Sequence, residues 1–214
     1  MICVSIGNIE LDEFEKLVDN FDLIEIRLDL FNAENLRLFE KYLLFAEKLI
    51  ITARLNGKDN IEHLISAMVK AVENRVRYID IDINEIGQFS EIIKITNKKY
   101  TNLILSYHDF DKTPNDEHIE DIISMMQAKS ADIFKLCFKM NSTGDIIRTF
   151  RIYNNHKSKK IIAFNLGQDA SLTRLLALQM GATFVYAALD ENSKTENSQL
   201  IHTEMEELIR ILNL

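Results

Sequence analysis

A lysine stands at the centre of an apolar run, Ile133-Phe-Lys-Leu-Cys-Phe138. Side chains alternate along an extended strand, so Ile133, Lys135 and Cys137 share one face while Phe134, Leu136 and Phe138 share the other. The bulky apolar face belongs against covering helices, which turns Lys135 toward an interior. Burial disfavours an ammonium ion, so the lysine pKa is expected to fall, leaving a neutral amine able to attack a carbonyl carbon. The bland reading of the same residue is a lysine that snorkels out of a short strand or pairs with an interior carboxylate. Lys139 follows on the same side, but it falls at the end of the run and is expected to be more solvated.

Other polar residues interrupt apolar runs in the same way. Leu-Ile-Glu-Ile-Arg-Leu-Asp places Glu25, Arg27 and Asp29 at period two on one face, either an exposed edge with a structural ion pair or an inward, functional face. Thr52-Ala-Arg54 sets an arginine just past another run, where a solvated loop residue is the plain alternative. Tyr-Ile-Asp-Ile-Asp-Ile carries Asp80 and Asp82 on one face, and Ser106-Tyr-His-Asp-Phe110 places His108 at a strand end. A histidine there is often structural; a carboxylate such as Asp82 on the adjacent strand is placed to orient its ring for acid and base work. Further on, Asn165-Leu-Gly-Gln-Asp-Ala-Ser-Leu-Thr-Arg174 puts Arg174 where a helix begins. An anion there would meet both a guanidinium fork and free backbone N–H groups, although a helix-surface arginine reads equally well.

These residues need a scaffold that repeats. Short β-branched runs occur at Ile2 to Ile6, Leu23 to Leu28, Leu49 to Thr52, Tyr78 to Ile83, Leu103 to Tyr107, Ile133 to Phe138, Lys160 to Phe164 and Thr183 to Ala187. Helical spacing of apolar residues falls between or after them, most clearly at Ile61 to Val72, Ile119 to Met126, Ile146 to Tyr153, Leu172 to Met180 and Glu204 to Leu212. Strands alternating with helices imply a parallel sheet, and eight such units point to a (β/α)8 barrel over an open α/β sheet. No G-x-G-x-x-G follows the first strand to favour the open sheet. In a barrel of this kind active sites sit at the C-terminal ends of the strands, so charged residues inside or just after the apolar runs are where chemistry is to be sought.

With 214 residues, one proline and no Ser/Gly-rich stretch, a single catalytic domain over residues 1–214 is expected. A net charge of −8 disfavours nucleic acid and anionic membrane surfaces, so an anionic ligand needs a dedicated arginine pocket. No apolar stretch approaches the roughly 20 residues of a membrane span, and no basic-then-apolar leader stands at Met1, so a cytoplasmic protein is expected. Cys3 and Cys137 lack metal-ligand or disulfide spacing and are expected to be buried thiols.

In this order, the motifs resemble the type I 3-dehydroquinate dehydratases over essentially the whole chain. The matching segments are Val-Ser-Ile with Ser5, Glu-Ile-Arg-Leu-Asp with Glu25 and Arg27, Arg54, Ser-Tyr-His-Asp-Phe with His108, Ala-Asp-Ile-Phe-Lys with Lys135, and Leu-Gly-x-x-x-x-Leu-Thr-Arg with Arg174. The resemblance implies that Lys135 forms an imine with the ring ketone of 3-dehydroquinate. His108 then acts as base and acid in a syn elimination that needs neither metal nor organic cofactor. It assigns the substrate carboxylate to Arg174, and contacts to carboxylate or hydroxyls to Ser5, Glu25, Arg27 and Arg54. Two departures stand out. Asp82 takes the place of the usual glutamate partner of the histidine. The lid motif Ser/Thr-Ala-Pro-Gly-Gln reads Thr195-Glu-Asn-Ser-Gln199, keeping Thr195 and Gln199 as substrate contacts but losing Pro-Gly, and so its fixed turn, and adding Glu196 near an anionic ligand. Weaker substrate binding is the expectation. A Schiff-base aldolase and a barrel of the same family that binds without turnover are the competing readings, and a two-fold homodimer is the common oligomeric expectation.

Overall fold

The structure is a computed structural model that describes residues 1–55, 57–96, 100–196 and 198–213. Eight strands run β1 (Ile2–Ile6), β2 (Ile24–Arg27), β3 (Leu49–Thr52), β4 (Tyr78–Asp82), β5 (Asn102–Asp109), β6 (Ile133–Lys139), β7 (Ile161–Leu166) and β8 (Val185–Ala188). They form one sheet in the order β7-β6-β5-β4-β3-β2-β1-β8, and the fold is a (β/α)8 barrel. The chain divides into two compact units, one of residues 3–104 and one of residues 105–214 with residues 1–2.

In the first unit, β1 to β4 alternate with helices α1 (Leu11–Val18), α2 (Ala33–Arg37), α3 (Phe39–Tyr42), α4 (Ile61–Glu73) and α5 (Ser90–Thr96). The strands pair in parallel, with Ser5 level with Glu25 and with Arg27, Thr52 and Asp80 in one register row. Every residue of β3 and β4 is buried: β3 reads as a continuous apolar run, whereas β4 alternates Ile79 and Ile81 with Asp80 and Asp82, whose carboxylates are buried with it. Phe14, Phe31, Tyr42 and Phe45 form the aromatic contact under α1 and α3, and the Tyr42 hydroxyl donates to the Ile9 carbonyl at 2.7 Å. Three of these helices, α2, α3 and α5, are too short to show an apolar period and bury few residues each, whereas α1 is strongly amphipathic over only eight residues.

The second unit carries most of β5, then β6 to β8 with α6 (Asp116–Ala128), α7 (Thr143–Asn155), α8 (Ser171–Gln179) and α9 (His202–Leu212). The Asn115 side chain accepts from the His118 N–H at 2.9 Å and starts α6. At the head of α7, Asp145 accepts from the Asn141 and Ser142 N–H groups at 2.9 and 2.8 Å. Tyr153 on α7 both donates to the Ala163 carbonyl and accepts from its N–H, which clamps the helix to β7. Asn165, at the end of β7, donates its side-chain amide to Thr149 on α7, and its backbone N–H to Thr173 on α8. β7 is therefore held by side chains from the helices on both sides of it in the chain, α7 and α8.

Two boundaries differ from the sequence expectation in ways that bear on chemistry. Asp29 lies past β2, in a one-turn 3-10 helix over Leu28–Leu30, so it does not continue the strand face of Glu25 and Arg27. β5 reaches Asp109, so His108 belongs to the strand itself and inherits its rigidity.

Candidate active site

Within the first unit the polar residues of β1 to β4 and of the turns after them are hydrogen-bonded in small groups. Glu25, 4% exposed, accepts a hydrogen bond from the Ser5 hydroxyl at 2.5 Å and another from Thr52 at 2.9 Å. Arg27 grips Asp29 with two parallel bonds, Nε to Oδ1 at 2.9 Å and Nη2 to Oδ2 at 2.7 Å. Burial opposes the Arg27 cation, but the hydrogen bond and charge of Asp29, joined by Glu25, hold its pKa above the ordinary value. Arg54 donates from Nη2 to the fully buried Asp80 at 3.0 Å. Burial again opposes the cation, and Asp80, Asp82 and Glu25 outweigh it, so the guanidinium pKa is raised. Asp82 is buried, and one of its oxygens caps the turn after β4 by accepting from the Asn84 N–H at 3.0 Å. Hydroxyls, carboxylates and two positioned guanidinium groups suit a polyhydroxylated anion, the arginines being pre-organised by their own carboxylate partners.

The second unit holds the lysines and the histidine that the sequence singles out. Lys135 is 6% exposed on β6, and its Nζ lies 3.9 Å from the centroid of the Tyr186 ring on β8. Lys139, at the end of the same strand, is only half-buried, as its position implied. His108 lies on β5, beside β6 in the sheet, and its ring stacks on Phe110 with 10° between planes. Phe110 is itself 69% exposed, so this stack covers one face of the imidazole with a solvent-facing ring.

Arg174 sits in the first turn of α8, 4% exposed, with its guanidinium carbon 4.1 Å from the Phe164 ring centroid. Its Nη2 donates to Glu196 Oε2 at 3.2 Å. The Gly167 N–H donates to Glu196 Oε1 at 2.9 Å, and the Ser198 N–H and hydroxyl both donate to Oε2. Burial alone would raise the Glu196 pKa; the Ser198 and Gly167 donors and the Arg174 charge reverse that, and the carboxyl is held below its ordinary value. Gly167 can aim its N–H this way because its φ is +114°, a region that strains residues with a Cβ.

The Thr195 to Gln199 loop departs from the expectation of an unfixed turn. Gln199 Oε1 accepts from the Thr195 N–H at 2.9 Å and from its hydroxyl at 3.1 Å, and the Gln199 N–H returns a bond to the Glu196 carbonyl. A side-chain clasp thus does what Pro-Gly would do through fixed dihedrals. Asn197 lies outside the described residues. Sequence reasoning placed Glu196 near an anionic ligand; the structure places it directly on Arg174. Thr52 and Tyr186 were missed as site residues, because a threonine and a tyrosine inside a β-branched run look like ordinary strand formers.

A family model described as type I 3-dehydroquinase matches residues 2–214. The chain is 28% identical over 197 residues to a 3-dehydroquinate dehydratase of Methanococcus maripaludis, covering 90% of this chain and 88% of that protein. It is 28% identical over 228 residues to a 3-dehydroquinate dehydratase of Methanocaldococcus jannaschii, covering both chains in full, 100% of each. Among solved structures it is similar to a type I 3-dehydroquinate dehydratase from Clostridium difficile with covalent modified comenic acid. That match has a TM-score of 0.81 at 22% identity and covers 99% of this chain and 91% of the other.

Proposed function

This chain belongs to the type I 3-dehydroquinase family, and from that premise we propose that it converts 3-dehydroquinate to 3-dehydroshikimate, as a single catalytic domain, through an imine on Lys135. The observation that carries the reading is the buried amine on β6 facing the Tyr186 ring. Burial withholds water from the ammonium form, and the ring face returns part of that stabilisation.

In the proposed cycle the Lys135 amine adds to the ring ketone and water leaves, giving a protonated imine. The positive nitrogen makes the neighbouring C–H acidic, and His108 takes that proton while the bonding pair flows toward nitrogen as an enamine. Return of the pair expels the β-hydroxyl, which leaves as water with the proton His108 had taken. Hydrolysis of the conjugated imine then releases the enone and the free lysine. Asp82 orients the imidazole, one methylene shorter than the family's usual glutamate. Arg174 binds the substrate carboxylate, and Ser5, Glu25, Arg27, Arg54, Thr195 and Gln199 supply contacts to carboxylate and hydroxyls that hold the ring for proton transfer.

Borohydride reduction in the presence of 3-dehydroquinate, followed by peptide mass spectrometry, tests the imine. A single stable adduct on Lys135 is expected. An adduct on Lys139, or none with folded protein, rules the mechanism out. The altered loop from Thr195 to Gln199, without Pro-Gly, favours one second reading, a barrel that binds ligand without turnover. Failure of the enone product to appear in an ultraviolet assay, with ligand binding intact, would support it.

A further inference from the structure

The Arg174 pocket already holds a carboxylate, and that carboxylate belongs to the protein. Four donors converge on Glu196: the Arg174 guanidinium, the Gly167 N–H, and the N–H and hydroxyl of Ser198. Both oxygens are engaged, Oε1 by Gly167 and Oε2 by Arg174 and Ser198. This is the set of contacts a bound carboxylate of a small ligand would make, with a charged fork on one side and main-chain N–H groups on the other. Two of the donors cannot readily turn away. Arg174 is buried and lies on the Phe164 ring, and Gly167 follows directly on β7 with its amide direction set by its backbone. The acceptor is the adaptable part. Glu196 comes from a partly exposed loop whose ends, Thr195 and Gln199, are clasped to each other independently of the carboxylate.

We propose that Glu196 is an internal carboxylate ligand of the Arg174 pocket, one that a substrate carboxylate has to displace, so that this residue sets the affinity of the site for its substrate. The inference rests on the reading of Arg174 as the substrate-carboxylate residue, and it is independent of the imine chemistry. A tethered competitor acts at a fixed, high effective concentration, which short flexible links place in the millimolar range. Apparent affinity then falls by the fraction of molecules whose pocket stands open; a pocket open one-tenth of the time binds about tenfold more weakly than an unobstructed one. The loop alternative, in which Glu196 serves only to anchor residues 195–199, makes the opposite prediction, since removing the anchor would then loosen the site.

Quinate separates these outcomes, because it is a hydroxylated cyclohexane carboxylate with no ketone and binds without forming an imine. Isothermal titration of quinate into wild type, E196Q, E196A, R174A and E196Q/R174A, each checked for cooperative thermal unfolding, gives the comparison. Both single Glu196 variants are expected to bind about tenfold more tightly than wild type, and the double variant is expected to bind as weakly as R174A. Unchanged, weaker or undetectable binding in E196Q and E196A, with R174A also impaired, overturns the internal-ligand proposal and leaves Arg174 as the carboxylate residue. If R174A binds quinate as well as wild type does, the assignment of Arg174 fails and the proposal falls with it.

Discussion

Asp29 reaches Arg27 from two positions along its own chain, whereas Glu196 reaches Arg174 from 22 positions away. The first pairing is local and forms wherever β2 and its 3-10 turn form; the second depends on where a loop comes to rest. That difference makes Arg27 a fixed donor and Arg174 a contested one. His108 is of a third kind, a strand residue whose ring is covered on one face by Phe110. If it carries protons in both halves of the elimination, H108A should lower kcat by roughly 10²- to 10⁴-fold. The same variant should still give the borohydride adduct on Lys135, because imine formation uses the amine and not the imidazole. Loss of the adduct together with turnover would instead mark His108 as a residue that shapes the lysine's surroundings.

Strands supply direction here and helix starts supply attachment. β6 presents Lys135 because its alternate residues, Phe134, Leu136 and Phe138, are committed to the other face. The helices then secure the strand ends: Asn165 to Thr149 and Thr173, and Asp145 to the residues that lead into α7. Asp145 offers a check on that attachment. Burial would raise its pKa, but N–H donors from Asn141 and Ser142, the Ser142 hydroxyl and the Arg148 charge together lower it below the ordinary 3.8. A carboxyl depressed in the folded state stabilises the fold above its unfolded pKa, and this contribution is lost as pH falls through the folded value. Replacing it in D145N should therefore cost about 1–3 kcal/mol near neutral pH. Urea unfolding at a series of pH values should show the gap from wild type narrowing as pH drops below 3.8. A gap that stays constant with pH would assign the cost to packing and not to charge.

Taken whole, the molecule is acidic, with a net charge of −8, yet its assigned substrate is an anion. The net charge of the chain does not favour that ligand, so its binding rests on arginines fixed at particular positions. Among the described residues no helix is long and apolar enough to cross a membrane. A ligand that binds only the folded chain raises its stability by about 2.7 kcal/mol at a hundred times its dissociation constant. For a chain of this size that corresponds to a rise of roughly 5–10 °C in Tm. Thermal unfolding with saturating quinate measures it. The rise should be reached at lower quinate concentration in E196Q, and an unchanged Tm at saturation would contradict binding to the native fold.

The eight strands, their alternation with helices and the burial of Lys135 were legible in the residues, because each depends on local periodicity: two residues for a strand face, three to four for a helix. The short helices α2, α3 and α5 escaped for the same reason, having too few turns to show a period. Which acidic group meets which arginine was not legible. Asp29 left the strand face it was assigned to, Asp80 took Arg54, and Glu196 settled on Arg174 with Gly167 and Ser198. Pairings of that kind follow from where distant segments meet, and a charge in the sequence carries no record of its partner; it finds one because burial without a partner is costly.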